Sequence, residues 1–254
     1  DMNRFTDKVV IVTGAASGIG KASAQRIASE GGVVACMDIQ EDALSDAVNG
    51  INNNPDTSGA AFSYVCDIGD PESTKKAVAA VIKDHKNLNA LCNIAGILKL
   101  QNTLEVSLED WNRILTINLT GTFFMCQTAL PHLIKTKGSI VNMTSTAALG
   151  SHPWTAAYAA SKGGLLSVTK TISIEFGKQG INANSLSPAS VETPMSNNAK
   201  LPEGADYDLL KKILPFDGIV RPASDVASLV AFLASDDAVH INGIDVRIDG
   251  GMMT

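Results

Sequence analysis

The segment VVIVTGAASGIG, residues 9–20, constrains this chain more than any other stretch. A β-branched apolar run leads straight into Gly14, Gly18 and Gly20, and a helix-forming stretch, GIGKASAQRIASEG, follows. The run is apolar without alternation, which fits a strand covered on both faces. A strand that turns tightly into a helix is the opening half of a crossover connection, and such connections build parallel sheets. Glycine suits this turn for two reasons. It accepts a tight backbone turn, and without a Cβ it lets the main chain approach a pyrophosphate closely. The helix that follows offers unpaired N–H groups and a partial positive charge at its start. Glycine-rich turns also close ordinary strand–helix corners, so the triplet gains its weight from its position between strand and helix.

The alternation then repeats. VVACMD precedes EDALSDAVNGINN, AFSYVCD precedes PESTKKAVAAVIKDH, and LNALCNIAG precedes a helical segment from Glu109 to about Lys135. GSIVNMTS precedes a second long segment, from about Thr155 to Lys178, while INANSLSP and IDVRID supply the sixth and seventh strands. The pattern predicts a doubly wound, three-layer α/β/α sandwich with a seven-stranded, mostly parallel sheet. No Pro-, Gly- or Ser-rich linker divides the chain, so residues 1–254 read as a single domain. Residues 193–222 carry Pro194, Pro202, Pro215 and Pro222 and interrupt the alternation. Placed beyond a strand end, where open α/β sheets build their sites, they read as a substrate lid or as a plain surface loop.

Composition excludes several classes. The formal net charge is -6 with no basic cluster, a poor match to nucleic acid or to an anionic membrane surface. No apolar run approaches the ~18 residues of a membrane span. The polar start, DMNRFTDK, reads as lacking a secretory signal, and a cytoplasmic location is expected. Cys36, Cys66, Cys92 and Cys126 lie far apart without metal-ligand or redox-motif spacing. They read as small buried hydrophobes, and no metal site is expected.

Two further features carry chemistry. The second strand ends in Asp38, where a carboxylate can accept hydrogen bonds from a ribose diol and repel a 2′-phosphate; it can also cap the helix that starts near Glu41. No Arg or Lys lies in the glycine turn or beside Asp38, so NAD is expected over NADP. In Tyr158-Ala-Ala-Ser-Lys162 the phenol and the ammonium are four residues apart, on one face of a helix-forming segment. A phenol of pKa ~10 is a poor proton carrier at neutral pH, and a nearby cation favours its ionised form. Taken alone, the pair reads rather as two surface residues that meet by accident. The strand SIVNMTS, however, ends in Ser145, whose hydroxyl can face the same pocket.

From TGAASGIG through YAASK to RIDGGM, nearly the whole chain resembles the short-chain dehydrogenase/reductase family, with its Rossmann-like fold. The resemblance implies hydride transfer between a nicotinamide and a carbinol or carbonyl carbon. It assigns proton transfer to Tyr158 and orientation of the substrate oxygen to Ser145. Lys162 is implied to hold the nicotinamide ribose and lower the tyrosine pKa, and Asn118 to position the lysine and a relay water. Around the glycine turn, Gly14, Ser17, Gly18, Ile19 and Gly20 are expected to meet the cofactor, together with Asp38 and Ile39. Asp67 and Ile68 match the adenine site, and Asn93, Ala95 and Gly96 match the family's Asn-Asn-Ala-Gly strand end, with Ile94 in place of the second Asn. Pro188, Val191 and Thr193 match the nicotinamide wall, where Ala189 replaces the usual glycine. Long helices, here about 109–135 and 155–178, imply a homo-oligomer, a tetramer or a dimer.

Expected liners of the substrate pocket are Leu98, Ala147, Leu149, His152, Trp154, Ala189 and Met195. Most are apolar, which favours a hydrophobic or cyclic secondary alcohol, steroid- or terpene-like, as the small-molecule substrate. His152 reads either as a substrate hydrogen-bonding group or as a loop histidine. Two other readings are an NADPH-dependent 3-oxoacyl-thioester reductase and a silent NAD(H)-sensing protein. Asp38 argues against the first, and the presence of both Tyr158 and Lys162 against the second.

Overall fold

The computed structural model describes residues 3–150 and 152–254; Asp1 and Met2, the start of the polar N-terminus, lie outside them. Strand β1 (Val9–Thr13) is followed by α1 (Gly18–Ser29), β2 (Val33–Asp38), α2 (Glu41–Asn52), β3 (Ala60–Val65), α3 (Pro71–His85) and β4 (Ala90–Asn93). Then come α4 (Leu108–Leu115), a π-helical segment (Thr116–Gly121), α5 (Thr122–Thr136), β5 (Ser139–Met143), α6 (Ala156–Phe176) and β6 (Asn182–Pro188). The chain ends through β7 (Val191–Glu192), α7 (Pro194–Asn197), a 3₁₀ stretch (Tyr207–Ile213), β8 (Arg221–Pro222), α8 (Ala223–Ala234) and β9 (Asp245–Ile248).

The seven expected strands form one sheet in the order β3-β2-β1-β4-β5-β6-β9, and every neighbouring pair is parallel. The sheet is therefore wholly parallel, not mostly so. Its order reverses between β1 and β4, which opens a crevice at the strand C-termini. Successive side chains of each strand feed opposite faces. Val10, Val12, Val34 and Cys36 join Ile27, Leu44 and Val230 in one apolar cluster. Val9, Ile11, Ala35 and Met37 join Val78, Met125 and Leu133 in the other. Both faces are covered, so the strands carry no polar alternation. Each fully buried residue such as Ile27 contributes roughly 2–3 kcal/mol relative to exposure. All four cysteines are buried and free, and burial pushes the Cys36, Cys92 and Cys126 thiols up to about 12.

Two departures matter for the site. The long segment expected from Glu109 is not one regular helix, because the π-helical Thr116–Gly121 separates α4 from α5. Here the helix presses on the loop after β3: a Cβ at Gly121 would lie 2.2 Å from Ile68 O. The segment after β6 is pinched at its base, where β7 pairs with β8.

Candidate active site

The first half of the cleft is built by the glycine turn. Gly14 has φ 69° and Gly18 φ 52°, both in the left-handed region that favours glycine. A Cβ at Gly14 would meet Ala95 Cα at 2.9 Å, and one at Gly20 would meet Gly14 O at 2.1 Å. Ser17 precedes α1 in extended conformation without a side-chain cap, and the first turn of α1 carries no acidic residue. The positive end of the helix thus meets no competing carboxylate of its own, as phosphate binding requires. The turn fits a dinucleotide.

Asp38 and Ile39 line the same cleft at the end of β2, with Ser17, Ile19, Asp67 and Ile68. One Asp38 oxygen accepts from Ala16 N at 3.2 Å and the other from Gln40 N at 3.0 Å. The carboxylate thus tethers the glycine turn to β2 and makes a short turn before α2, rather than capping that helix from its N-cap position. Asp67 is held similarly, its Oδ1 accepting from Gly69 N at 2.8 Å.

At the end of β4 the main chain is fixed by Thr13, whose Oγ1 accepts from both Ile94 N (3.0 Å) and Ala95 N (3.1 Å). Gly96 comes next. A Cβ there would sit 3.1 Å from Asn118 Oδ1 and 3.5 Å from Lys162 Nζ, so glycine is what lets those groups close in. Asn118 is fully buried in the π-helical segment. Its Oδ1 accepts from Ile97 N at 2.8 Å, and its Nδ2 donates to Ile97 O at 2.9 Å and Ser161 Oγ at 3.1 Å. The side chain of Asn118 therefore faces inward, with all three bonds made to protein groups. π-Bulges recur at functional sites because they re-aim one side chain within a helix.

Ser145 ends the β5 connection and starts a 3₁₀ turn, its Oγ accepting from Ala147 N at 3.1 Å. One turn of α6 brings Tyr158 and Lys162 together, with Nζ 5.8 Å from the ring centre. Lys162 is only 3% exposed and donates to Met143 O at 2.7 Å. Burial pushes its ammonium down to about 8. Burial also pushes the Tyr158 phenol above its ordinary value, and the Ser145 hydroxyl beside it pulls the other way. The expected lowering of the phenol is therefore not seen here, because desolvation of a phenolate outweighs its partners.

Gly14, Asp38, Gly96, Ser145, Tyr158 and Lys162 line one cleft of about 640 Å³. The glycine turn lines it as well, and so do Leu98, His152, Trp154, Ala189 and Met195. Pro188, Val191 and Thr193 line it as well, with Ala95 and Gly96. A family model described as enoyl-(acyl carrier protein) reductase matches residues 14–253. The chain belongs to the short-chain dehydrogenase/reductase family.

This short-chain dehydrogenase/reductase is 38% identical to D-threitol dehydrogenase of Mycolicibacterium smegmatis, over 98% of this chain and 94% of that one. It is 36% identical to a 3-oxoacyl-(acyl-carrier-protein) reductase of Thermotoga maritima, over 98% and 99% of the two chains. The crystal structure of a 3-ketoacyl-(acyl-carrier-protein) reductase from Brucella melitensis complexed with NADH superposes with a TM-score of 0.88 at 30% identity, covering 98% of this chain and 99% of that one. The chain is an oxidoreductase of the dehydrogenase class. Among the described residues no helix is long and apolar enough to cross a membrane.

Three expected site residues of this dehydrogenase/reductase do not line the cleft: Asn93, Asn118 and Ala147. Asn93 points within the sheet, its Nδ2 donating to Asn142 Oδ1 at 2.8 Å and to Cys126 Sγ at 3.2 Å. Ala147 is buried behind Ser145, and the expected liner Leu149 is outside the cleft as well. Ile94, in place of the family's second Asn, is a buried apolar side chain whose backbone N–H donates to Thr13 Oγ1. Ala189 takes no positive φ, so alanine is unstrained there, and its N–H donates to Ile248 O at 3.1 Å. Sequence reasoning missed Thr13, Ser161 and the cleft-lining Leu201, Leu210 and Ile213. The spacing of Leu210 and Ile213, one turn apart, was the available signal for the last two.

Proposed function

We propose that this enzyme is an NAD-dependent dehydrogenase that interconverts a hydrophobic or cyclic secondary alcohol and its ketone. The observation that carries the reading is the buried Lys162 ammonium, near 8, held 5.8 Å from the Tyr158 ring in a cleft that the glycine turn also lines. When bound, the nicotinamide supplies or accepts the hydride. Tyr158 Oη gives the proton to the substrate oxygen or takes it away. Ser145 Oγ orients that oxygen and offsets its developing charge. Lys162 keeps a positive charge next to the phenol, which favours the phenolate as the proton leaves. Asn118 fixes the Gly96–Ile97 main chain against which the lysine packs, so its role is positioning. Asp38 selects NAD by receiving the ribose diol. Residues 193–222 act as a lid over the apolar half, through Met195, Leu201, Leu210 and Ile213.

Tyr158→Phe tests this reading. Turnover falls ~100-fold or more, the usual contribution of a positioned acid–base group, while NADH binding stays near that of the parent. A Phe variant within about tenfold of parental activity refutes the role of the phenol.

The similarity to the Thermotoga maritima and Brucella melitensis reductases favours a second reading, reduction of a 3-oxoacyl thioester. Rates with acetoacetyl thioester and NADPH, set against NADH and a panel of cyclic alcohols, separate the two. Both readings have the enzyme act in the cytoplasm as a homotetramer. Ile174 on α6, 82% exposed, and Leu108 on α4, 74% exposed, support such an assembly, which light scattering tests.

A further inference from the structure

Residues 194–220 carry Leu201, Leu210 and Ile213, which line the cleft. Among the described residues, the hydrogen bonds of this stretch stay within residues 191–221 with one exception: Phe216 N donates to Gly250 O at 2.9 Å. Packing reinforces that bond. Gly250 has φ 60°, and a Cβ there would lie 2.9 Å from Pro215 Cβ.

The same short segment after β9 reaches a second part of the site. A Cβ at Gly150 would lie 2.9 Å from Met253 Sδ and closer still to its Cε, so the thioether rests directly on the Gly150 main chain. Gly150 belongs to the turn that opens with Ser145. Ala148 N donates to Ser145 O at 2.9 Å, and Gly150 N donates to Thr146 O at 3.0 Å. The residues between the two contacts are braced as well. Asp249 Oδ1 accepts from Gly251 N at 3.1 Å and its Oδ2 from Met253 N at 3.2 Å, the pattern of a turn closed by its own carboxylate. Arg247 Nη1, on β9, donates to Met253 O at 3.2 Å. Packed side chains and hydrogen bonds that join two elements pass a displacement of one to the other.

Resting on the dehydrogenase reading and the lid role above, we propose that residues 249–253 clasp the lid to the catalytic turn. Met253 is a positioning residue for the Ser145 turn, and Gly250 is the seat of the lid. One element thus sets both boundaries of the substrate half, and releasing it at either end loosens both.

Trypsin reads the lid without any substrate. Residues 193–222 hold Lys200, Lys211 and Arg221, so their cleavage rate under limiting protease reports how firmly the lid is held. Met253→Ala acts at the Ser145 end, yet it raises that rate about fivefold or more. Met253→Leu keeps the bulk and returns the rate to within about twofold of the parent. Gly250→Ala acts at the lid end and raises the rate too, and the double variant is cleaved no faster than the faster single, because both changes break one connector. With the cyclic alcohol that the enzyme oxidises best, KM rises about tenfold in Met253→Ala, while the NADH dissociation constant stays parental and checks folding. A parental cleavage rate in Met253→Ala, single effects that multiply in the double variant, or an unmoved KM overturns the clasp. Should Gly250→Ala not fold, Met253→Ala and Met253→Leu decide the matter. Failure of the dehydrogenase reading looks different: no alcohol is oxidised with either NAD⁺ or NADP⁺, or Tyr158→Phe keeps its turnover, and the cleavage rates still rule on the clasp.

Discussion

One turn of α6 sets the Lys162 ammonium 5.8 Å from the centre of the Tyr158 ring, and among the described residues no carboxylate pairs with it. Its recorded acceptor is the Met143 carbonyl, at 2.7 Å. A cation buried this way costs the fold stability, which is why its pKa sits near 8 rather than at 10.5. Lys162→Met is expected to raise the melting temperature by several degrees, since the shift corresponds to on the order of 3 kcal/mol, while turnover falls at least ~100-fold. The pH dependence has a definite sign. The folded pKa lies below the unfolded one, so between them the unfolded chain binds more protons and stability rises with pH. Thermal melts of parent and variant should therefore converge as pH rises from about 8 toward 10.5. A gap that stays constant across that range contradicts the buried charge as its cause.

Gly20 and Gly50 make a matched pair. A Cβ at Gly20 would lie 2.1 Å from Gly14 O, whereas nothing lies within 4 Å of a Cβ at Gly50. Gly20→Ala must therefore displace the turn from the start of α1, and NADH binding measured by fluorescence is expected to weaken ~100-fold or be lost. Gly50→Ala, within α2, is expected to stabilise the protein by about 0.5–1 kcal/mol in denaturant titrations and to leave NADH binding unchanged.

Asp38 does two jobs in this account. Its oxygens hold the amides of Ala16 and Gln40 and it lines the cleft, where under the proposed function its charge meets the cofactor ribose. Asp38→Ala removes both, so the dissociation constant for NADH rises. The ratio of NADPH to NADH dissociation constants reports on the charge alone and is expected to fall about tenfold or more. An unchanged ratio, with both cofactors weakened equally, assigns Asp38 to the turn only.

Much of this site was legible because it rests on short-range patterns. The glycine turn, the Tyr158–Lys162 pair and the strand-end positions of Asp38 and Ser145 follow from turn chemistry and from helix and strand periods, which act over a few residues. Asn118 was legible only through the family resemblance, since no spacing along the chain fixes where its side chain points. Its π-helical segment ends at Gly121, which approaches Ile68, a residue far away in the chain, too closely for a Cβ. The orientation of Asn93 was not legible for the same kind of reason: its side chain answers to Asn142 and Cys126 on neighbouring elements.

The order of apolar runs, breakers and helix formers determined seven strands, their helical crossovers and the strand end that bears the glycines, because backbone sterics and burial of apolar surface are encoded locally. Which polar atoms find partners was decided in three dimensions. Thr13 came to hold two amides just past β4, Lys162 lost its solvent, and His152 Nε2 was left without a bond. Hydrogen bonding and desolvation depend on groups brought together from distant parts of the chain, and no spacing along the sequence reports on them.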